Sequence, residues 1–357
     1  AKDLPIWKKL NCINPYSPLF RGLFSVSHSI YSMPSPTPPN QSEHIRRVES
    51  PADLLAVADL IEIAFDLKND PEGQAVIRQM RRVAHQRTPA TIRALRTSTE
   101  GFVWVENDEI VGNITLMHFH KSSKPRILIA NVAVAPAYQG LGIATALTDY
   151  VMRYLHNKPK AEIWLQVRSD NAQAIHIYSK YGFKFEHAIA QWRYSPTIHA
   201  LFSENTESTY FLHVSRRRIS DWAQQSAWLN VIYPESTRWY QNLNFAAFSP
   251  WAWLNPVNWI ELPNLQHIAL RPKGYLAGVL TWQQTATSAD QIFLALPQST
   301  NEDASAEILL HYLIEKLDPT RDLHLEYPAG RATRGIQNAG FVLGHKLDWM
   351  RFEKLQP

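Results

Sequence analysis

Cysteine is almost missing from this chain: Cys12 is its one thiol among 357 residues. A single thiol excludes an intrachain disulfide and any Cys-rich zinc site, and it suits a reducing compartment. Long apolar runs are missing as well. None approaches the roughly 20 residues that cross a bilayer. Charge is sparse, with 19% charged residues and a formal net charge of +4. No basic run is long enough to act as a nucleic-acid arm, and Arg216-Arg217-Arg218 reads as the solvated start of an element. The mild positive excess suits an anionic ligand without demanding a polyanion. These absences together lead us to expect no metal, no nucleic-acid partner, no membrane span and a cytoplasmic location. The oligomeric state is not legible.

What is present is core-forming material. Hydrophobic residues make up 45% of the chain, and the length points to two domains. Residues 1–43 hold the Pro-rich run 32–39 and scattered aromatics (Trp7, Tyr16, Phe20), which predicts an extended N-terminal segment. From His44 the pattern becomes regular. Ser50-Pro51-Ala52-Asp53 is a helix start with proline at the first helical position. A basic helix comes next, bearing Arg78, Arg81, Arg82, Arg87, Arg93 and Arg96, and a solvated face is its simplest reading. Residues 102–119 read as a hairpin turning at Asn107-Asp108. The apolar run Arg126–Val134 reads as a central buried strand. A helix over 140–156, a strand over 163–167, a helix over 171–179 and a strand from Phe183 complete the order βααβββαβαβ.

Landmarks of this order recur in the second half. Gly182-Phe183 is echoed by Gly340-Phe341, Gly112-Asn113-Ile114-Thr115 by Gly278-Val279-Leu280-Thr281, and 163–167 by 323–327. This predicts a second copy of one fold, with an N-terminal segment at 1–43, a first domain at 44–205 and a second at 206–357.

The chemistry concentrates where the central strand ends. After Val134 and Pro136 comes Gln139-Gly140-Leu141-Gly142-Ile143-Ala144, a turn that opens a helix. Free N–H groups and the positive dipole end of a helix favour a phosphate, glycines admit it close to the main chain, and no acid in the first turn repels it. A P-loop is excluded, because Ile143-Ala144-Thr145 stands where Gly-Lys-Ser/Thr is required. A dinucleotide fold fits poorly: Thr145 holds the third small position, although Glu162 stands at the spacing of a ribose-binding acid.

Two strings decide between these. Val134, Pro136, Gln139, Gly140, Gly142 and Ala144 resemble motif A of the GNAT (GCN5-related N-acetyltransferase) superfamily. Asn171, Ala174, Tyr178, Gly182 and Phe183 resemble its second motif. The resemblance implies a mixed, mostly antiparallel twisted sheet flanked by helices, here in two tandem copies, the second degenerate. It implies acetyl-CoA as co-substrate, with pantetheine paired to the main chain at Val132 and Val134, the diphosphate on N–H groups of Gln139, Gly140, Leu141, Gly142, Ile143 and Ala144, and Asn171 beside them. It implies direct attack by an amine on the thioester, with Tyr178 as the acid that protonates the departing sulfur. The acceptor is then an amine-bearing small molecule or a protein N-terminus.

Around residues 163–171 the chain resembles the acetyltransferases of ribosomal-protein N-termini, in which a glutamate serves as base where Gln166 stands. Glutamine takes no proton, which leaves His118, His120, a water chain or an already neutral acceptor. It also leaves open a coenzyme A-binding regulator or scaffold that has lost catalysis. The second half has no Gly-x-Gly, and Glu302 and Asp303 open its matching helix, so we expect no coenzyme A there. Its tryptophans read mostly as core, with Trp251 and Trp253 as candidates to line an acceptor cleft.

Overall fold

The computed structural model describes residues 43–69, 71–85, 99–119, 124–156, 161–196, 212–241, 245–256, 264–285, 289–317 and 322–353. The expectations placed on 1–42, Cys12 included, and on Arg87, Arg93, Arg96, His120 and Trp259 lie outside these residues. The chain divides into two compact units. Unit 1 holds residues 1–187 and 348–357, and unit 2 holds 188–347. This division differs from the boundary at 205/206: it falls at 187/188, and residues 348–357 at the end of the chain belong to unit 1.

In unit 1 the elements are β1 (Ile45–Arg47), α1 (Pro51–Ala64), α2 (Pro71–His85), β2 (Thr99–Glu106), β3 (Glu109–Phe119), β4 (Arg126–Val134), α3 (Ile143–His156), β5 (Glu162–Arg168), α4 (Ala172–Lys180) and the start of β6 (Phe183–Tyr194). Strands β1 to β4 pair antiparallel in sequence order, and β4 pairs parallel to β5. Local chemistry sets the ends. Ser50 caps α1 by accepting from the Asp53 N–H at 3.0 Å, while the Asp53 carboxylate accepts from the Ser50 N–H at 3.1 Å, a reciprocal capping box. Asn107 and Asp108 adopt positive φ at the β2–β3 turn, as a tight hairpin requires. Helix α2 is basic, and Arg81 reaches across to Asp59 and Glu62 of α1, both at 2.6 Å.

The sheet is covered on both faces. Leu147, Val151 and Leu155 of α3 pack with Ile114 and Leu116. Val57, Leu60 and Ile61 of α1 pack with Val103 and Ala133 on the opposite face.

Unit 2 repeats the order with the end of β6, then β7 (Val214–Arg216), α5 (Trp222–Ile232), α6 (Glu235–Gln241), β8 (Leu265–Leu270), β9 (Gly278–Gln283), β10 (Ala289–Ala295), α7 (Glu302–Leu317), β11 (Asp322–Pro328), α8 (Thr333–Asn338) and the start of β12 (Phe341–Phe352). Strands β7 to β10 again pair antiparallel, and β10 pairs parallel to β11. Even the register is shared. The parallel pair runs from Arg126↔Glu162 to Ile129↔Leu165 in unit 1 and from Ala289↔Asp322 to Ile292↔Leu325 in unit 2. Among the described residues no helix is long and apolar enough to cross a membrane.

Candidate functional site

Strand β4 changes course midway. Its partners on β3 jump from Asn113↔Ala133 to Thr115↔Ala130. The extra residue is Asn131, held at φ +51°, a bulge that bends the strand and re-aims the residues after it. Asn113 fixes it: the fully buried amide donates to the Asn131 carbonyl at 2.7 Å. Beyond Ile129↔Leu165 the strands β4 and β5 part, and a cleft opens between them.

The cleft is partly open to solvent, and the space between its walls and across its mouth amounts to about 760 Å³. Residues 129–132 and Val134 form one side and Gln166, Val167 and Arg168 the other. Ala144 and Thr148 of α3, Asn171, Ala174, Ile177 and Tyr178 around α4, and Phe65 at the end of α1 complete the lining.

Backbone alternation decides what the β4 edge offers. The Ala135 N–H donates to Val111 of β3 at 2.8 Å, so the polar groups of Val132 and Val134 turn toward the gap. The Val134 carbonyl agrees with this, since it accepts from Gln139 Nε2 at 3.3 Å. Gln139 therefore spends its side chain on holding the turn.

After a short 3₁₀ turn at Pro136–Tyr138 come Gly140 and Gly142 at φ +79° and +81°. A Cβ on either would meet nothing within 4 Å. These glycines are thus required by backbone conformation, and the space before them is free for a ligand. Helix α3 begins at Ile143, three residues later than the sequence pattern suggests, because the glycines take left-handed conformations first. The Gly142 carbonyl accepts its first helical bond, from Ala146 at 2.9 Å, so the N–H groups just before that point have no partner within the helix. No acid lies in the first turn. Leu141 projects to solvent, Ile143 is buried, and Ala144 faces the cleft.

Tyr178 is buried in the cleft wall with its ring edge-on to Phe183 at 6.1 Å. Burial pushes its pKa well above the ordinary tyrosine value, which holds the hydroxyl protonated. Asn171 is the α4 cap and accepts from the Ala174 N–H at 3.0 Å. Its side chain positions the helix that carries Tyr178.

Gln166 lies one residue beyond the fork. It is buried, and its Oε1 has no hydrogen-bond partner among the described residues. His118 lies elsewhere. It pairs with Ile127, before the fork, and its Nε2 is 3.2 Å from Glu100, which also holds Arg47 and Tyr154. The alternative of His118 as base is therefore corrected: the strand carries it to the opposite end of β4. Phe65 was missed by motif reading, and its place at the end of a regular helix is the one signal that could have found it.

The matched positions of unit 2 are filled from within. The Tyr233 hydroxyl, at the end of α5 as Phe65 is at the end of α1, donates to the Glu326 carbonyl at 2.9 Å and accepts from the Leu294 N–H. By register Leu294 and Glu326 stand where Val132 and Gln166 stand. Phe245 and Phe248 pack beside Phe293 there. Glu302 opens α7 and accepts from Tyr327 at 2.7 Å and from Arg331 at 2.6 Å. The Gly335 N–H donates to Asp303 at 2.9 Å, and a Cβ on Gly335 would fall 1.9 Å from the Asp303 carbonyl oxygen, so α8 lies main chain to main chain on α7. Trp282 and Trp349 are buried, whereas Trp251 and Trp253 are more than half exposed on a 3₁₀ turn.

Residues 62–183 match the model of the Acetyltransferase (GNAT) family. The chain is 34% identical over 83 residues to N-alpha-acetyltransferase 30 of Schizosaccharomyces pombe, covering 23% of this chain and 55% of that protein. It is 34% identical over 80 residues to streptothricin acetyltransferase of Streptomyces lavendulae, covering 22% and 42%. The chain thus spans about half the length of these curated relatives. Over 88% of this chain and 96% of the other, the fold is that of a GCN5-related N-acetyltransferase from Sphaerobacter thermophilus, with a TM-score of 0.54 and 14% identity.

Proposed function

We propose that unit 1 is an acetyl-CoA-dependent N-acyltransferase that moves an acetyl group to an amine by direct attack on the thioester. The observation that carries this reading is the fork after Ile129↔Leu165, which turns the Val132 and Val134 main chain into a cleft ended by the Gly140–Gly142 turn and walled by Tyr178. The family match of residues 62–183 supports it.

In this reading pantetheine adds to the free edge of β4, and the diphosphate takes the N–H groups of Gln139, Gly140, Leu141, Gly142, Ile143 and Ala144. A main-chain N–H at Val132 polarises the thioester carbonyl. Tyr178, kept protonated by its surroundings, gives its proton to the sulfur as the C–S bond breaks. Asn171 holds Tyr178 in place by capping α4. The acceptor is an amine-bearing small molecule or a protein N-terminus, and the reaction takes place in the cytoplasm without a metal. Unit 2 keeps the fold and binds no coenzyme A, because Tyr233 occupies the place of pantetheine and Glu302 with Arg331 that of the diphosphate.

A second reading, a coenzyme A-binding regulator or scaffold, is favoured by Gln166 at the position of the expected base. Thiol release from acetyl-CoA across an amine panel separates the two. Release that depends on the amine and falls about 100-fold or more in Tyr178→Phe supports transfer. Binding of one coenzyme A per chain with no release for any amine supports the regulator.

A further inference from the structure

We propose that Gln166 receives the acceptor amine as a hydrogen-bond acceptor that takes no proton, so that unit 1 selects weakly basic amines, α-amino groups above all, over alkyl ε-amines. The inference rests on the acetyl-transfer reading above.

Gln166 is 8% exposed, lines the cleft one residue past the last β4–β5 pair, and has an Oε1 with no partner among the described residues. A buried carbonyl oxygen without a donor is costly, and a turn of the Gln166 amide toward the cleft it lines lets a substrate N–H supply one. The same fork position in unit 2 holds a carboxylate, Glu326, tied to Gln191 at 3.0 Å and to Tyr240 at 2.8 Å. The fold therefore accommodates an acid at this position, and unit 1 carries the uncharged isostere.

The ionisable groups around Gln166 are otherwise engaged. Among the cleft-lining residues only Arg168 and Tyr178 are ionisable, and Arg168 is paired with Asp170. On α1, Asp59 and Glu62 hold Arg81. Beyond β5, Asp348 accepts from Ser169 at 2.5 Å and Arg351 pairs with Glu186 at 2.5 Å. His187 is half-buried and stacks on Trp349, and this partial burial lowers its pKa to about 4.

The proton count then fixes the substrate. The amine lone pair attacks the carbonyl carbon, a C–N bond forms, the C–S bond breaks, and the electrons leave on sulfur. A neutral primary amine brings two hydrogens and the amide keeps one. The proton released is the one sulfur needs, given by Tyr178 and restored to it through water, so no net base is required. An ammonium brings one proton more, and glutamine cannot take it. With ordinary pKa values near 7.8 for an α-amine and 10.4 for a lysine amine, the neutral fractions at pH 7 differ by about 300-fold.

The test measures kcat/KM for thiol release from pH 6 to 10, with small peptides carrying either a free N-terminus or, with that end blocked, a free lysine amine. The expected result is a rising limb that moves with the substrate's own pKa and a preference for the α-amine of about 100-fold at pH 7. Gln166→Leu raises the KM for the amine about 10-fold and leaves the Kd of acetyl-CoA in place. Gln166→Glu lowers the preference at least 10-fold and adds a limb that belongs to the enzyme. A wild-type limb fixed at one pH for every amine, as a base belonging to the protein gives, overturns the proposal. So does an unchanged amine KM in Gln166→Leu. Acetyl-CoA binding without thiol release for any amine refutes the transferase reading itself, whereas transfer with a fixed limb refutes this inference alone.

Discussion

The two units share element order and even the register at which their parallel strands meet, yet they treat the space beyond that register in opposite ways. In unit 1 the strands part around the Asn131 bulge, and Gly140 and Gly142 face open space. In unit 2 β9 and β10 run in continuous register, and the gap is closed by Tyr233, three phenylalanines and the contact of Gly335 with Asp303. Backbone fold alone therefore does not make a ligand site. A phenolic oxygen can replace a ligand's hydrogen bonds to two strands, and a carboxylate ion-paired to arginine can stand at a helix start where a phosphate would bind. The same backbone groups face the gap in both units; unit 1 leaves them on a free edge that a ligand can pair with, and unit 2 pairs them with its own Tyr233.

Carrying an acid from unit 2 into unit 1 gives the largest expected effect. Gly140→Asp places a carboxylate where the diphosphate would lie and strains a left-handed position. Acetyl-CoA affinity should fall at least about 30-fold by isothermal titration, with far-UV circular dichroism unchanged. Full affinity in this variant would show that the turn does not hold the phosphates.

Exchanging the helix-end residues comes next. Phe65→Tyr brings the unit 2 plug to the unit 1 fork and should weaken acetyl-CoA binding about 10-fold. Conversely, Tyr233→Phe leaves the Leu294 N–H and the Glu326 carbonyl without their shared partner. It should cost ~1–3 kcal/mol of stability, read as a lower thermal midpoint, while titration still finds one coenzyme A per chain. A second binding event in Tyr233→Phe would mean that the hydroxyl alone closes unit 2.

The smallest effect concerns acid. Each unit holds a half-buried histidine whose pKa is lowered by desolvation, His187 to about 4 and His267, aided by Arg217, to about 3. Between these values and the unfolded pKa near 6.5 the unfolded chain binds the additional proton, so stability is full above about pH 6.5 and declines as the pH falls. The slope is at most about 1.4 kcal/mol per pH unit for each group. His267→Asn should flatten the decline monitored in unit 2, and His187→Phe that in unit 1. Equal slopes in wild type and variant would count against neutral burial.

Much of this was legible in sequence because it is written in local chemistry. Ser50 and Asp53 announce α1, Asn107-Asp108 the hairpin, and the spacing from Asn171 through Tyr178 to Gly182 the capped helix of the cleft wall. The acids at 302 and 303 already separated unit 2 from unit 1. Other features depend on which residues meet across the sheet. His118 qualifies as a base by residue type, and only the β3–β4 register shows that it lies at the wrong end of the strand. Phe65 and Tyr233 look like ordinary core aromatics until the packing of α1 and α5 sets them at matching forks.

The sequence by itself determined the order of elements, the two glycines that only a left-handed turn calls for, and the identity of Gln166 where a proton acceptor was expected. These come from backbone conformation and side-chain type, which each residue carries with it. Tertiary structure decided that unit 1 is open and unit 2 closed, that Asn171 serves the helix through its cap, and that the last strand of the chain ends in unit 1. Those outcomes depend on long-range register and on which side chain reaches an exposed N–H or carbonyl first, and local pattern does not encode either.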